Sequence, residues 1–167
     1  KDGEFFTIDT PEFYFSIPYK VTVKPVEVIE GELGDSEKLI GKKILLVEDN
    51  EFNQMVAVDT LLDIFPDLKV DVALDGKEAL SMLNENDYSF IFMDIQMPVM
   101  DGYEATKEIR KLSNEYKKNI RICAMTANVT KEEIDKCLSV GMNDYLMKPF
   151  DQEILKEKVL RNALNHD

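Results

Sequence analysis

The sequence predicts an α/β protein, a doubly wound parallel sheet of five strands with helices on both faces, preceded by a short β-hairpin. Three observations carry this. From Lys43 onward, short β-branched or apolar runs alternate with stretches of helical periodicity, the pattern of repeated strand-helix units. Most of those runs are continuously apolar, as strands covered on both faces are. Residues 1–41 do not share the pattern.

In the first segment, EFFTIDT and FYFSIPY read as two strands with Pro11-Glu12 between them. Phe13, Phe15 and Ile17 would share one face of the second. An isolated two-stranded hairpin is marginal in water, so that face is expected to need a partner surface. Residues 1–20 are thus assigned to the hairpin, and residues 21–41, with Lys24-Pro25 and EGELGDSEK, to a linker by composition. Residues 42–167 form the main domain, with strands expected over 44–47, 70–73, 90–93, 120–125 and 145–147.

Between the strands, Met55, Val58, Leu61, Leu62 and Phe65 recur at helical spacing and stop at Pro66. Asp75 can cap a second helix carrying Ala79, Leu80 and Leu83 on its buried face. A third helix is expected over 102–112. A fourth starts with the capping box Thr130-Lys131-Glu132-Glu133 and ends at Gly141, and a fifth follows Asp151.

Charge and cysteine content exclude several functions. With 33 acidic and 20 basic residues the formal charge is -13, which disfavours direct contact with a nucleic-acid backbone. No apolar run approaches the roughly 18 residues of a membrane span, so a soluble piece is expected. Cys123 and Cys137 share no short spacing with each other or with a histidine cluster, which argues for reduced core residues over a disulfide or metal site. The single histidine, His166, lies in the C-terminal NHD and reads as a solvated tail residue. The chain begins at Lys1 without an initiator Met or a signal sequence, which reads as a fragment of something longer.

Ligands of open parallel sheets bind at the carboxyl ends of the strands, where strand order reverses. Four strands here end in a reactive polar group: Glu48 and Asp49 after the first, Asp94 after the third, Thr126 after the fourth and Lys148 after the fifth. If the order is 2-1-3-4-5, the acidic pair and Asp94 share one pocket. Three close carboxylates repel, a unit pair at about 4 Å costing roughly 4 kcal/mol at an effective dielectric of about 20. Mg²⁺ suits such a cluster, because it takes hard oxygen ligands and completes its shell with water and phosphate oxygens. Lys148 adds a fixed positive charge, an ionised Asp94 can attack phosphorus, and the Thr126 hydroxyl can donate to a phosphoryl oxygen. Taken singly, each acid reads as a helix cap or a solvated loop residue; together the five residues do not. Pro149 is a candidate cis position, Ala127 leaves room beside Thr126, and Tyr145 could rotate inward when Thr126 moves.

The stretches VEDNEFNQ at Val47, FMDIQMPVMDGYEAT at Phe92, AMTAN at Ala124 and DYLMKPF at Asp144 resemble the receiver domain of two-component response regulators across residues 42–164. That resemblance implies a flavodoxin-like (βα)5 fold in which Asp94 takes a phosphoryl group from a phosphohistidine. It implies Glu48, Asp49, Asp94 and the Gln96 carbonyl as Mg²⁺ ligands, Thr126 and Tyr145 as a switch pair, and Lys148 as the phosphate-binding lysine. The Gln96 and Asn128 side chains would tune the phosphoryl lifetime. Implied partners are a histidine-phosphorylated kinase or phosphotransfer domain, with self-association possible through the fourth helix, fifth strand and fifth helix.

GEFFTIDTPEFYFSIPY is similar to the closing hairpin of a histidine-kinase ATP-binding domain, so the parent would resemble a hybrid sensor histidine kinase, cytoplasmic in this portion. A haloacid-dehalogenase-like phosphatase would need an acid where Gln96 stands, and a dinucleotide-binding module would need glycines that EDNEFN lacks. An inactive docking module would have lost the acid pair, Asp94 or Lys148, and none is lost.

Overall fold

The computed structural model describes the backbone of strands Phe5–Asp9 and Tyr14–Pro18, residue Glu37, and residues 39–164. The chain divides into two units, residues 1–30 and 31–167. In the first, β1 (Phe5–Asp9) and β2 (Tyr14–Pro18) pair antiparallel, with Phe5 opposite Pro18 and Asp9 opposite Tyr14. The expected face of Phe13, Phe15 and Ile17, most of the linker and His166 lie outside the residues whose side chains are described.

The second unit is a five-stranded parallel sheet of order β4-β3-β5-β6-β7, the predicted 2-1-3-4-5. Its strands are β3 (Lys43–Val47), β4 (Lys69–Ala73), β5 (Phe90–Asp94), β6 (Arg121–Thr126) and β7 (Asp144–Met147). The helices are α1 (Glu51–Ile64), α2 (Gly76–Glu85), α3 (Gly102–Ile109), α4 (Glu115–Lys118), α5 (Lys131–Val140) and α6 (Gln152–Leu164). Alternate residues of one strand enter opposite cores, as a period of two requires. Leu45, Ile91, Met93 and Ile122 pack toward residues of α2, α3 and α5, whereas Leu46, Phe90, Phe92 and Met125 pack toward residues of α1 and α6.

Side-chain caps set the helix starts, because the first N–H groups of a helix have no partner within it. Asn50, Asp75, Asp101 and Thr130 accept from the amides of Asn53, Glu78, Glu104 and Glu133 at 3.1, 2.9, 2.8 and 3.2 Å. Gly141 closes α5 with φ at 102°, a conformation that glycine adopts without steric cost. Both cysteines are free and buried, as expected.

Two expectations change. In α1 the buried residues are Ala57 and Leu61, followed by Phe65, while Met55 and Leu62 are exposed. The helix has apolar residues on nearly every face, so periodicity alone could not select the inner one. The third helix stops at Ile109 instead of continuing to 112, and the short α4 capped by Asn114 follows. In addition Leu39, which composition assigned to the linker, is 1% exposed and sits in a core with Phe65 and Leu68.

The loop between β5 and α3 carries strain. Met100 N donates to Pro98 O at 2.7 Å across Val99, whose φ is 67° and whose side chain is exposed. A γ-turn with positive φ is rare, and a β-branched residue there is strained. Val99→Gly is expected to raise unfolding stability by about 1 kcal/mol, the strain relieved less the added freedom of the unfolded chain. A urea midpoint that does not rise would show the turn to be unstrained.

A polar knot joins β7 to α6. The buried carboxylate of Asp144 accepts from Lys158 Nζ at 2.7 Å, Asn162 Nδ2 at 3.2 Å and the Tyr145 amide at 2.9 Å, and Asn162 Oδ1 accepts from Arg121 Nε at 3.0 Å. Burial pushes the Asp144 carboxyl up, but Lys158 and these donors outweigh it and hold it below its ordinary 3.8. A depressed native pKa stabilises the fold above the unfolded value and loses that effect as acid protonates the native carboxylate. Asp144→Asn is therefore expected to cost about 2 to 3 kcal/mol at neutral pH. The gap to wild type should narrow as pH falls below 3.8; denaturant midpoints across that range measure it, and a constant gap would contradict the assignment.

Candidate functional site

The acids expected at the strand ends meet at the carboxyl edge of the sheet because β3 and β5 are neighbours, with Val47 level with Met93. Lys148, at the exit of β7, sends its ammonium between two of them. Its Nζ donates to Asp94 Oδ2 at 2.7 Å and to Glu48 Oε2. Its backbone is fixed by the bond from Lys148 N to Thr126 O at 2.7 Å, and the Lys148-Pro149 peptide is cis. Glu48 is 1% exposed and Asp94 7%, while Asp49 faces solvent. One oxygen from each of Glu48, Asp49 and Asp94 lies within 4.8 Å of the others.

Burial raises the Asp94 carboxyl above its ordinary value; Lys148 pulls it down, Glu48 pushes it up again, and the net is upward. Three carboxylates against one ammonium leave two negative charges when all are ionised, which is the complement of a divalent cation. The donors are all hard oxygens, so the chemistry of the set fits Mg²⁺.

Gln96 N donates to Asp94 Oδ1 at 3.3 Å, and the Gln96 side chain is exposed. The Thr126 hydroxyl, at the exit of β6, donates to Asn128 O at 2.9 Å and accepts from Asn128 N at 3.1 Å, so it is engaged by its own loop. The Asn128 side chain is exposed. Tyr145 is half-buried against the core that includes Ala124, its strand partner, and the Lys158 ammonium stands 5.2 Å from its ring. The structure thus joins Glu48, Asp94 and Lys148 directly and sets Asp49 and Gln96 beside them. The Thr126 hydroxyl and the Tyr145 amide hydrogen-bond outside that cluster, while Thr126 O accepts from Lys148 N.

Three supporting residues were not singled out from sequence. Asn53 Nδ2 donates to Glu48 Oε1 at 2.9 Å, and Gln54 Nε2 donates to Glu48 O at 2.7 Å, both from the first turn of α1. Their signal was present in VEDNEFNQ, where they lie five and six residues past the acid and return to it once the helix starts. Gly102 opens α3 so close to β5 that a Cβ there would meet Asp94 O at 2.2 Å. An open cleft of about 790 Å³ lies beside the site, lined in part by Asp49, Gln96, Pro98, Tyr103, Thr130 and Lys136.

A family model for the response regulator receiver domain matches residues 44–160. The chain belongs to that family. This receiver is 40% identical over 129 residues to hybrid signal transduction histidine kinase K of Dictyostelium discoideum, covering 74% of this chain and 10% of that protein. Histidine kinase 3 of Arabidopsis thaliana is 38% identical over 142 residues, covering 74% of this chain and 14% of the relative. The chain therefore spans a small part of the curated relatives it matches.

Among solved structures, the receiver domain of sensor histidine kinase PA1611 from Pseudomonas aeruginosa PAO1 superposes with a TM-score of 0.67 at 39% identity, over 75% of this chain and 99% of that one. That structure holds a magnesium ion coordinated in its active site cleft. The receiver domain of Ssk1 from Saccharomyces cerevisiae, crystallised with the histidine phosphotransfer protein Ypd1, gives 0.64 at 30% identity, over 75% of this chain and 94% of that one. This chain is accordingly a receiver domain of the two-component phosphorelay type. No helix among its described residues is long and apolar enough to cross a membrane.

Proposed function

We propose that Asp94 is the phosphoacceptor, attacking the phosphorus of a phosphohistidine on a partner kinase or phosphotransfer domain. An Asp94 carboxylate oxygen forms the new P–O bond as the P–N bond breaks, and the departing imidazole nitrogen keeps the electron pair. The observation that carries this is the Lys148 ammonium held between Glu48 and Asp94, with Asp49 completing the carboxylate group. Lys148 is placed to neutralise charge on the transferring group. Glu48, Asp49, Asp94 and the Gln96 carbonyl would hold Mg²⁺, which supplies further charge neutralisation when bound.

The donor surface suggested by this reading is α1. Phe52 is 67% exposed, and with Val56, Pro149 and Phe150 it lines an apolar groove that also includes Lys148. Thr126 and Tyr145 act as the switch pair that passes the added charge to the face formed by α5, β7 and α6, the candidate surface for output or self-association. Exposure of the Gln96 and Asn128 side chains leaves both accessible to the water that hydrolyses the phosphoryl group. The order of hairpin (1–20), linker (21–41) and receiver (42–167) favours origin in a cytoplasmic portion of a hybrid sensor histidine kinase.

The test is incubation of the chain with acetyl phosphate and Mg²⁺, followed by intact mass measurement. A single phosphoryl adduct, stable in acid, labile in base and absent when EDTA is added, is expected. No adduct with Mg²⁺ present would overturn the proposal.

A further inference from the structure

Arg110, at the C-terminal end of α3, has its guanidinium set among carbonyls, with no carboxylate among its hydrogen-bond partners within the described residues. Nε and Nη2 donate to Gly141 O at 2.9 and 2.7 Å, Nη1 to Lys118 O at 2.7 Å, and Nη2 also to Asn143 Oδ1 at 3.1 Å. Gly141 caps α5 and Lys118 ends α4, so one cation serves the negative ends of two helices while standing at the end of its own. Asn143 carries the tie into the sheet, since its Oδ1 accepts from Ile122 N at 2.9 Å. Gly141 is fitted to this contact, because a Cβ there would meet Arg110 Nε at 3.0 Å. Burial lowers the Arg110 pKa, as expected for a cation held by dipoles and not by a counter-ion.

The two ends of α5 differ. Cys137, and Met142 just past the cap, are buried in the core, whereas Lys131 and Glu132 are exposed and Glu133 and Ile134 are half-buried. Thr130, Glu132, Glu133 and Lys136 line the open cleft beside the carboxylate site, so there is space next to the N-terminal half. That half follows directly on Thr126 and Asn128.

We propose that Arg110 is the fixed end of a lever: α5 pivots about the clamp on its C-terminus, and its N-terminal half moves when the loop after Thr126 rearranges. Arg110 is a positioning residue, since it touches none of the reacting groups. The inference rests on the phosphoacceptor reading above and adds to it which part of the switch moves and which stays.

Amide hydrogen exchange on the full chain tests this, with and without beryllium fluoride and Mg²⁺, a mimic of a phosphoryl group on a carboxylate. In the wild type, the added mimic is expected to change exchange at 128–135 and leave 137–143 unaltered. Arg110→Met is expected to lower protection at 137–143 by about tenfold and to spread the mimic-induced change into those amides. Arg110→Lys, which keeps the charge and loses the fork, is expected to fall between, and acetyl phosphate uptake is unchanged in both.

A wild-type change spread evenly along α5, or confined to its C-terminal turn, overturns the pivot whatever the variants do. So does an Arg110→Met chain that responds as the wild type does. A wild type that takes up no phosphoryl group and shows no change anywhere removes the phosphoacceptor reading, and the lever with it.

Discussion

Asp94→Asn is expected to abolish phosphoryl uptake outright, whereas Lys148→Met slows it by about two to three orders of magnitude. The first removes the attacking oxygen. An amide lacks the anionic oxygen needed at phosphorus, and because one of three crowded carboxylates is lost, the melting temperature should be no lower than that of wild type. The second leaves the nucleophile but takes away the cation that lies between Glu48 and Asp94. With both acids buried, their repulsion is then uncompensated, and a loss of about 3 kcal/mol in stability is expected when no divalent cation is present. Time courses of the mass adduct and thermal melts separate the two effects. An Asp94→Asn chain that still forms the adduct, or a Lys148→Met chain as fast as wild type, would contradict these roles.

Gly102→Ala is expected to damage both fold and site from a position that carries no charge. Its Cβ would lie 2.2 Å from Asp94 O and 3.1 Å from Asp94 C, atoms of the main chain that cannot turn aside as a side chain could. Either α3 must lift from the sheet, losing the bond from Gly102 N to Ile95 O at 3.1 Å, or the end of β5 must move. A cost of about 3 kcal/mol follows from forced displacement in a packed interior. Because the displaced atoms belong to Asp94 itself, uptake of phosphoryl groups should slow as well, even at temperatures where the variant is folded. A denaturant midpoint equal to that of wild type would show that the approach of α3 to β5 is looser than these distances.

Much of this was legible in the sequence, and the reasons are specific. The apolar runs ILLV and FIFM are covered on both faces, so their type could be read directly and their limits to within one residue, and polar residues at strand exits announced where a pocket would form. Lys148 and Glu48 are 100 positions apart; strand order puts both at the same edge of the sheet, and the length of the lysine side chain spans the two strands between them. The caps Asp75 and Thr130 fixed helix starts because each uses a local rule that spans three residues.

Less was legible where tertiary context decides. The inner face of α1 could not be chosen, since Phe52, Met55, Val56 and Leu62 are apolar and exposed. Arg110 gave no signal, because its acceptors, the main-chain carbonyls of Lys118 and Gly141 and the Asn143 side chain, take positions that depend on how α4 and α5 end. The strain at Val99 was hidden for a similar reason: valine does not announce a positive φ. Leu39 was assigned to a linker by the polar residues before it, although its own side chain belongs to the core.

The most direct measurement is chemical trapping of the modified residue. After reaction with acetyl phosphate and Mg²⁺, borohydride reduces an aspartyl phosphate to homoserine, which tandem mass spectrometry locates by peptide. Homoserine at position 94, and at no other carboxylate, is the expected result. Homoserine at Asp49 or any other aspartate, 5-hydroxynorvaline at Glu48 or any other glutamate, or a phosphoryl adduct that borohydride leaves intact, would contradict the account.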